Sequence, residues 1–381
     1  MARLGSRLVL ASAVGVALLA LAVAGATRAQ AQRPITLRVQ SSVPAGSGFY
    51  AKGIPLFKEA VEKMSGGRLK IEAFPAGAIV PAFEVHDAVS RGVLDGGHTY
   101  VGYLVGKHPA ASLFVGPVGG PFGFDPWDLF AWYYEGGGLE LYQEFYRDVV
   151  KLNLVGFPLA PVSPQVLGWY RKPITRFEDF KGLKIRVGGI VAEVYREAGA
   201  AVVTLPGGEI LPAAERGVIE GAEWAGPAED LPMGFHQVWK HYHMDSVHEP
   251  SVLGEIVFNR TVFDKLAPDL QEILKVASQA TVARFWAWYN VQNAKSLRTL
   301  KTEHRVNIYR TPEDLHVKIL EHWDRVAARY SQSHPFFKKV YDSQREFARL
   351  VVPARRVIYP EYRVIADYYW KDETNALVTR R

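Results

Sequence analysis

The stretch "GLKIRVGGIVAEVYREAGAAVVTLP", Gly182–Pro206, decides the reading of the fold. "LKIRV" alternates apolar and charged residues with a period of two, the signature of a half-buried strand. Gly188 and Gly189 stop the strand. "IVAEVYREAGA" follows as a helix and "AVVTLP" as a second strand. Strand, helix and strand in this order predict parallel strands joined by a right-handed crossover. The first strand also ends on a charge, Arg186, beside two glycines. The plain reading is a solvated arginine on an edge strand. The alternative is a guanidinium aimed at an anion, because ligands of such sheets gather at the carboxyl ends of strands.

Similar units lie on both sides. Upstream, "ITLRVQSS" (Ile35–Ser42) reads as a strand and Tyr50–Met64 as a helix, with Ile54, Phe57, Ala60, Val61 and Met64 at helical spacing. "RLKIEAFP", "AFEVHDAVSRGVLDG" and "LDGGHTYVGY" continue as strand, helix and strand. Residues 108–140 are rich in Gly, Pro and aromatics and read as a loop with a helix around Trp127–Tyr134. A second α/β unit opens near Leu152 with "LNLVGFPL" and continues through "QVLGWY", the opening stretch, the helix "GGEILPAAERGVIEG" and the strand "AEW". "SVLGEIVFNRTVF" is a strand candidate long enough to cross between lobes. Pro268 opens a long helix to about His304, and the tail from Thr311 is helical by pattern. The fold class is α/β in two lobes, the hinged form of a periplasmic binding protein. The boundaries are 1–31 for an export signal, 32–158 with part of 250–263 for the first lobe and 159–249 for the second. A bracing helix takes 264–310 and a helical tail 311–381.

The ends and the composition narrow the function classes. "MARLGSR" is a basic lead, an apolar run of 19 residues follows, and Ala29 and Ala31 supply an A-x-A pattern. This is the order of a secretory signal cleaved after Ala31, which places the mature chain in the periplasm. An N-terminal membrane anchor is the competing reading, since about 20 apolar residues span a bilayer. Without residues 1–31, which hold three arginines and no acid, the balance is 42 basic against 39 acidic side chains, or +3. No basic patch suggests nucleic acid. The chain has no cysteine, so thiol chemistry and cysteine metal sites are excluded. GxSxG, P-loop, GxGxxG and HExxH motifs are absent. His236, His241, His243 and His248 crowd one segment, but their spacing does not place three rings on one helix face as a zinc site needs.

"RKPITRFEDFKGLKIRVGG", "AEVYREAGAAVVTLPGGEILPAAERGVIEGAEWAGPAED", "GFHQVWKHYH" and "EAFPAGAIVPAFEVHDAVSRGVLDGGHTY" closely resemble the solute-binding proteins of tripartite ATP-independent periplasmic (TRAP) transporters, DctP-like, and among them the subgroup that binds 2-oxo acids or lactate. The resemblance runs from Leu37 to about residue 300. It implies two α/β domains joined by hinge strands and braced by a long helix. It implies a receptor rather than an enzyme, one that hands a small monocarboxylate to a membrane permease. Arg186 matches the arginine that pairs with the ligand carboxylate. Glu223 and Trp224 match an acidic-aromatic pair that holds a cation, calcium or sodium, the tryptophan through its backbone carbonyl. Glu249 falls near a second metal-liganding carboxylate, and Gln165 near a carboxamide contact to ligand and metal. Tyr100 or Tyr103, and Phe49 or Tyr50, would close over the ligand from the first lobe. Some relatives pair through C-terminal helices; this tail departs from their pattern, and a homodimer is left open.

These assignments agree with elementary chemistry. A guanidinium matches a carboxylate as a bidentate fork, and Gly189 at the start of the next helix would favour an anion. Two glutamates beside an anion would repel it unless a hard cation sits between them. The plain alternatives are a solvated arginine, a hinge carboxylate at Glu223 and a packing ring at Trp224. The rival functions are a receptor for a sugar acid or dicarboxylate, a periplasmic hydrolase, and an exported adhesive protein.

Overall fold

The computed structural model describes residues 33–162 and 164–379. The export signal read at residues 1–31 lies outside them. In the first part of the chain β1 (Ile35–Ser41), α1 (Ile54–Met64), β2 (Leu69–Phe74), α2 (Val85–Ser90) and β3 (Gly96–Thr99) alternate as expected. A five-residue π turn, Phe49–Gly53, precedes α1. Ile54, Phe57 and Val61 form the buried stripe of α1, and Met64 at its end is exposed. Then come α3 (Pro126–Glu135), α4 (Gly138–Glu144) and β4 (Leu154–Pro161). α3 starts where Asp125 accepts hydrogen bonds from the Trp127 and Asp128 N–H groups, an N-cap ahead of Pro126.

The second part holds β5 (Gly168–Tyr170), β6 (Lys184–Arg186), α5 (Val191–Glu197), β7 (Ala201–Val203), α6 (Gly207–Glu215), β8 (Gly221–Ala222) and β9 (His241–His243). β10 (Leu253–Asn259), α7 (Arg260–Asp264), α8 (Pro268–Thr302), β11 (Asn307–Tyr309), α9 (Glu313–Ser333), α10 (Pro335–Ile358) and α11 (Tyr362–Leu377) complete it.

Two sheets result, ordered β2-β1-β3-β10-β4 and β11-β9-β5-β8-β6-β7. β1 runs parallel to β2 and β3, and β6 runs parallel to β7 and β8. One expectation fails. "LNLVGFPL" does not open the second unit: β4 pairs antiparallel with β10 and closes the first sheet. Every residue of β4 and β10 is buried, as expected of strands covered on both faces.

The passage between the sheets is made just beyond these strands. The Val162 N–H donates to the Val252 carbonyl at 2.9 Å and the Gln165 N–H to the Glu249 carbonyl at 3.1 Å. The strand in "SVLGEIVFNRTVF" stays in the first sheet, and the residues ahead of it cross. α8, 35 residues and about 50 Å long at 1.5 Å per residue, packs on α1 and β4 and on the one-turn helix Pro227–Asp230. α9 packs on α5, and α10 lies against the segment 109–123 and α3. Each of the two apolar cores joins residues from both sheets.

Candidate functional site

Arg186 is the last residue of β6 and is 2% exposed. β6 and β8 are parallel, with Arg186 opposite Ala222, so the two strands end together and set Glu223 beside the guanidinium. Nε of Arg186 donates to the Leu205 carbonyl at 3.0 Å. Nη1 donates to the Glu223 carbonyl at 3.2 Å and to Glu223 Oε1 at 2.5 Å. Nη2 takes no part in these bonds, and the Tyr103 hydroxyl is within reach of the guanidinium. A bidentate fork through Nε and Nη2 is therefore not on offer, because the Leu205 carbonyl occupies Nε. The Trp224 ring lies under the guanidinium, with Cζ 5.3 Å from its centroid, so the ring is a cation–π partner and not packing alone.

The two glycines have separate tasks. The Gly188 N–H donates to Glu223 Oε1 at 2.7 Å, and a Cβ there would stand 3.7 Å from both Nη atoms. Gly189 has φ +64°, a conformation that costs a side chain roughly 1–2 kcal/mol. The expected anion site at a helix start is absent from the described geometry. α5 begins at Val191, spans seven residues, and the Ile190 N–H is taken by Ser112 Oγ at 3.2 Å.

Glu249 enters from the crossing segment, its Oε1 3.3 Å from where a Gly189 Cβ would be. Burial pushes its carboxyl well above the usual range, and the Glu223 charge pushes further the same way. Burial also raises Glu223, against the opposing pull of Arg186 and the Gly188 N–H. Among the described residues nothing bonds the Glu249 carboxylate or the second oxygen of Glu223.

Gln165, Arg186, Glu223, Trp224 and Glu249 meet Phe49, Tyr100 and Tyr103 around one cavity of about 60 Å³. Both tyrosines contribute, their rings 5.7 Å apart, and burial moves the Tyr103 hydroxyl up to about 12. Of the neighbours Phe49 and Tyr50 only Phe49 lines the cavity. Tyr50 points away, its hydroxyl donating to the Ala73 carbonyl at 3.2 Å, because adjacent residues of a helical turn face different ways.

Sequence reasoning missed several participants. Val115, Val162 and Val252 line the apolar part of the cavity. His248 is fully buried between Tyr195 and Gln165, and burial drops its imidazole to about 3. The other three histidines lie apart: His243 accepts the Ile174 N–H at 3.0 Å, His241 meets Tyr309 and His236 meets His304. Glu229 accepts the Ser47 hydroxyl at 2.6 Å from across the lobes, and Asp230 accepts from Trp169 Nε1 and the Tyr242 hydroxyl. These groups bear no recognisable motif, and their partners are distant in sequence.

The profile describing bacterial extracellular solute-binding protein family 7, DctP, matches residues 41–333. A monocarboxylate 2-oxoacid-binding periplasmic protein of Nostoc sp. (strain PCC 7120) is 32% identical over 320 residues, 84% of this chain and 86% of that one. A TRAP transporter solute-binding protein from Bordetella bronchiseptica RB50, solved as a mixed-occupancy dimer with copurified calcium and picolinate, superposes with a TM-score of 0.83 at 28% identity. That likeness covers 91% of this chain and 100% of the other. A TRAP periplasmic solute-binding protein from Pseudoalteromonas atlantica T6c with bound sodium and pyruvate gives a TM-score of 0.77 at 27% identity, over 90% and 99% of the two chains. The chain belongs to the DctP family, family 7 of the bacterial extracellular solute-binding proteins, the solute receptors of TRAP transporters.

Proposed function

We propose that the chain is an exported, non-enzymatic receptor that binds a small 2-oxo monocarboxylate such as pyruvate together with a cation, and delivers it to a TRAP permease. The observation that carries this reading is a buried arginine–glutamate pair, Arg186 and Glu223, with the half-buried Glu249 carboxylate lining the same cavity of about 60 Å³. Water needs roughly 10–15 Å³ on this measure, so the space suits an acid of a few heavy atoms and not a sugar acid. Its walls combine one positive group, two negative groups and apolar side chains. The two sheets act as lobes whose closure brings Phe49, Tyr100 and Tyr103 over the ligand.

The residues present fit a hard cation. Glu249 and the second oxygen of Glu223 are unbonded oxygens among the described residues, and burial raises both carboxyls, the Glu223 charge adding to the rise at Glu249. Glu223, Glu249 and the Trp224 carbonyl are the groups that would hold it, while Gln165 Oε1 is engaged by His248. A bound cation would supply positive charge against the two carboxylates and a Lewis-acid contact for oxygens of the acid. An acid anion and two glutamates against one guanidinium leave two negative charges, which favours calcium over sodium. Arg186 supplies Nη2 to the ligand carboxylate, and the Tyr103 hydroxyl lies beside it. The valines exclude water from the ligand's apolar end.

Calorimetry tests the reading. Pyruvate should bind with calcium present and bind at least tenfold more weakly after chelation, as expected when a charged partner worth about 1.5–3 kcal/mol is removed. Equal affinity in metal-free buffer would remove the cation from the site. Arg186→Lys keeps the charge beside Glu223 but lacks the planar fork whose separate nitrogens reach Leu205, Glu223 and the cavity, so it should lose pyruvate binding while staying folded. A dimer, as in the Bordetella relative, is a separate question for native mass spectrometry.

A further inference from the structure

Gln165 lies on the crossing segment with its backbone held at both ends. Its N–H donates to the Glu249 carbonyl at 3.1 Å, and its carbonyl accepts from the Ser246 N–H at 3.3 Å. Its side chain is held too. Oε1 stands 3.2 Å from His248 Nε2, and the Tyr195 hydroxyl stands 2.8 Å from His248 Nδ1. All three residues are buried, at 6%, 0% and 1% exposure. His248 is further fixed by its own N–H, which donates to Ser246 Oγ at 3.1 Å.

The two ring nitrogens of a neutral imidazole have opposite roles: one donates and the other accepts. A carbonyl oxygen at Nε2 requires the proton on Nε2. Nδ1 then accepts, and the Tyr195 hydroxyl, whose described bond is this one, donates to it. The opposite tautomer would donate to the tyrosine oxygen and would draw the Gln165 amide nitrogen toward Nε2, turning the carboxamide round. The tautomer therefore decides which end of Gln165 reaches the cavity.

We propose that His248 is a positioning residue: with Tyr195 holding its proton on Nε2, it takes the Gln165 oxygen and turns the Gln165 amide N–H groups into the cavity, as donors to the oxygen on the carbon next to the ligand's carboxylate. Gln165 lines the cavity, and its amide nitrogen makes no hydrogen bond among the described residues, so its donors are free for a ligand. The ligand must then carry an acceptor at that position. A 2-oxo group fits and a 2-hydroxy group can accept. The ammonium of a 2-amino acid would face the Gln165 donors and could not accept from them. Gln165 in this role selects the ligand and leaves the cation to the two carboxylates. The inference rests on the proposed binding of a 2-oxo acid.

Calorimetry with pyruvate at saturating calcium, on wild type and on His248→Phe, Tyr195→Phe and Gln165→Glu, provides the test, with thermal melts to establish folding. His248→Phe keeps a flat ring and removes the N–H. Each variant should weaken pyruvate about tenfold or more, the effect of losing one well-aimed hydrogen bond. Calcium affinity measured without the acid should stay unchanged in His248→Phe and Tyr195→Phe. Nitrogen NMR of histidine-labelled wild type should show the proton on Nε2 of His248, with or without ligand. A proton on Nδ1 overturns the proposal. So does wild-type pyruvate affinity in folded His248→Phe, or a Gln165→Glu variant that binds pyruvate as well as wild type. Wild-type protein that binds no 2-oxo acid overturns the reading of the site itself, and the tautomer signal separates that failure from a failure of the Gln165 orientation.

Discussion

Gly188 and Gly189 are neighbours, yet an added methyl group should act differently at each. Gly188 needs no left-handed backbone, and its Cβ would meet Glu223 Oε1 at 3.6 Å, an ordinary contact. Gly188→Ala should fold with near wild-type stability and should lose ligand affinity, because the methyl group sits against the guanidinium. Gly189→Ala adds strain at φ +64° and a contact of 3.3 Å to Glu249 Oε1. It should lower stability by roughly 1–2 kcal/mol as well as affinity. Urea denaturation beside calorimetry separates the two; equal stability loss at both positions would contradict the assignment. At this scale the place of Arg186 and Glu223 beside the cavity was legible because one ends a short strand and the other follows one, and the family pattern covers both. Phe49 and Tyr50 could not be told apart before the turn that aims them was known. His248 was not legible as a working residue. Its partners lie 53 and 83 positions away, and nothing local to it differs from an ordinary core histidine.

The one-turn helix Pro227–Asp230 joins the second half of the chain to the first. Glu229 accepts the Ser47 hydroxyl beside Phe49 of the cavity, and Trp288 of α8 stands close by. Burial pushes the Glu229 carboxyl up to about 8 and Asp230 up to about 7. A carboxyl raised on folding keeps a proton that the unfolded chain has released. Its stabilising effect is therefore present at acid pH and is lost as pH rises from about 4.5 through about 8. Glu229→Gln mimics the protonated form at every pH. Relative to wild type it should be near neutral at about pH 5 and more stable at about pH 8, read from denaturation midpoints at the two pH values. A constant difference between the two proteins would show that Glu229 does not titrate in that window. The elements themselves were readable from periodicity, including the long helix after Pro268. The partner of β4 was not. β10 enters the first sheet about a hundred residues later, and a period-two pattern states which face is buried without stating which strand lies alongside.

Two sheets suggest two folding units, but the packing argues for one. A single apolar cluster contains Val85, Phe114 and Leu129 from the first half, Ile185, Val194 and Tyr195 from the second, and Trp323 and Phe337 from α9 and α10. Ion pairs repeat the pattern. Arg329 of α9 meets Glu193 and Glu197 of α5, while Arg355 of α10 meets Asp125 and Asp128 at α3. The α9–α10 pair thus ties both lobes together on one side, and α8 does so beside β4. A lobe that unfolded alone would expose core shared with the other. Denaturation followed by tryptophan fluorescence and by circular dichroism should give coincident single transitions. Trp323→Ala should move both by the same amount, about 3–5 kcal/mol for a buried tryptophan. Pyruvate with calcium at a hundred times Kd should add about 2.7 kcal/mol to the whole transition, because residues of both halves line the cavity. If ligand stabilised only one of two separate transitions, the lobes would be independent units. The cavity would then be a feature of one lobe, not of the closed pair.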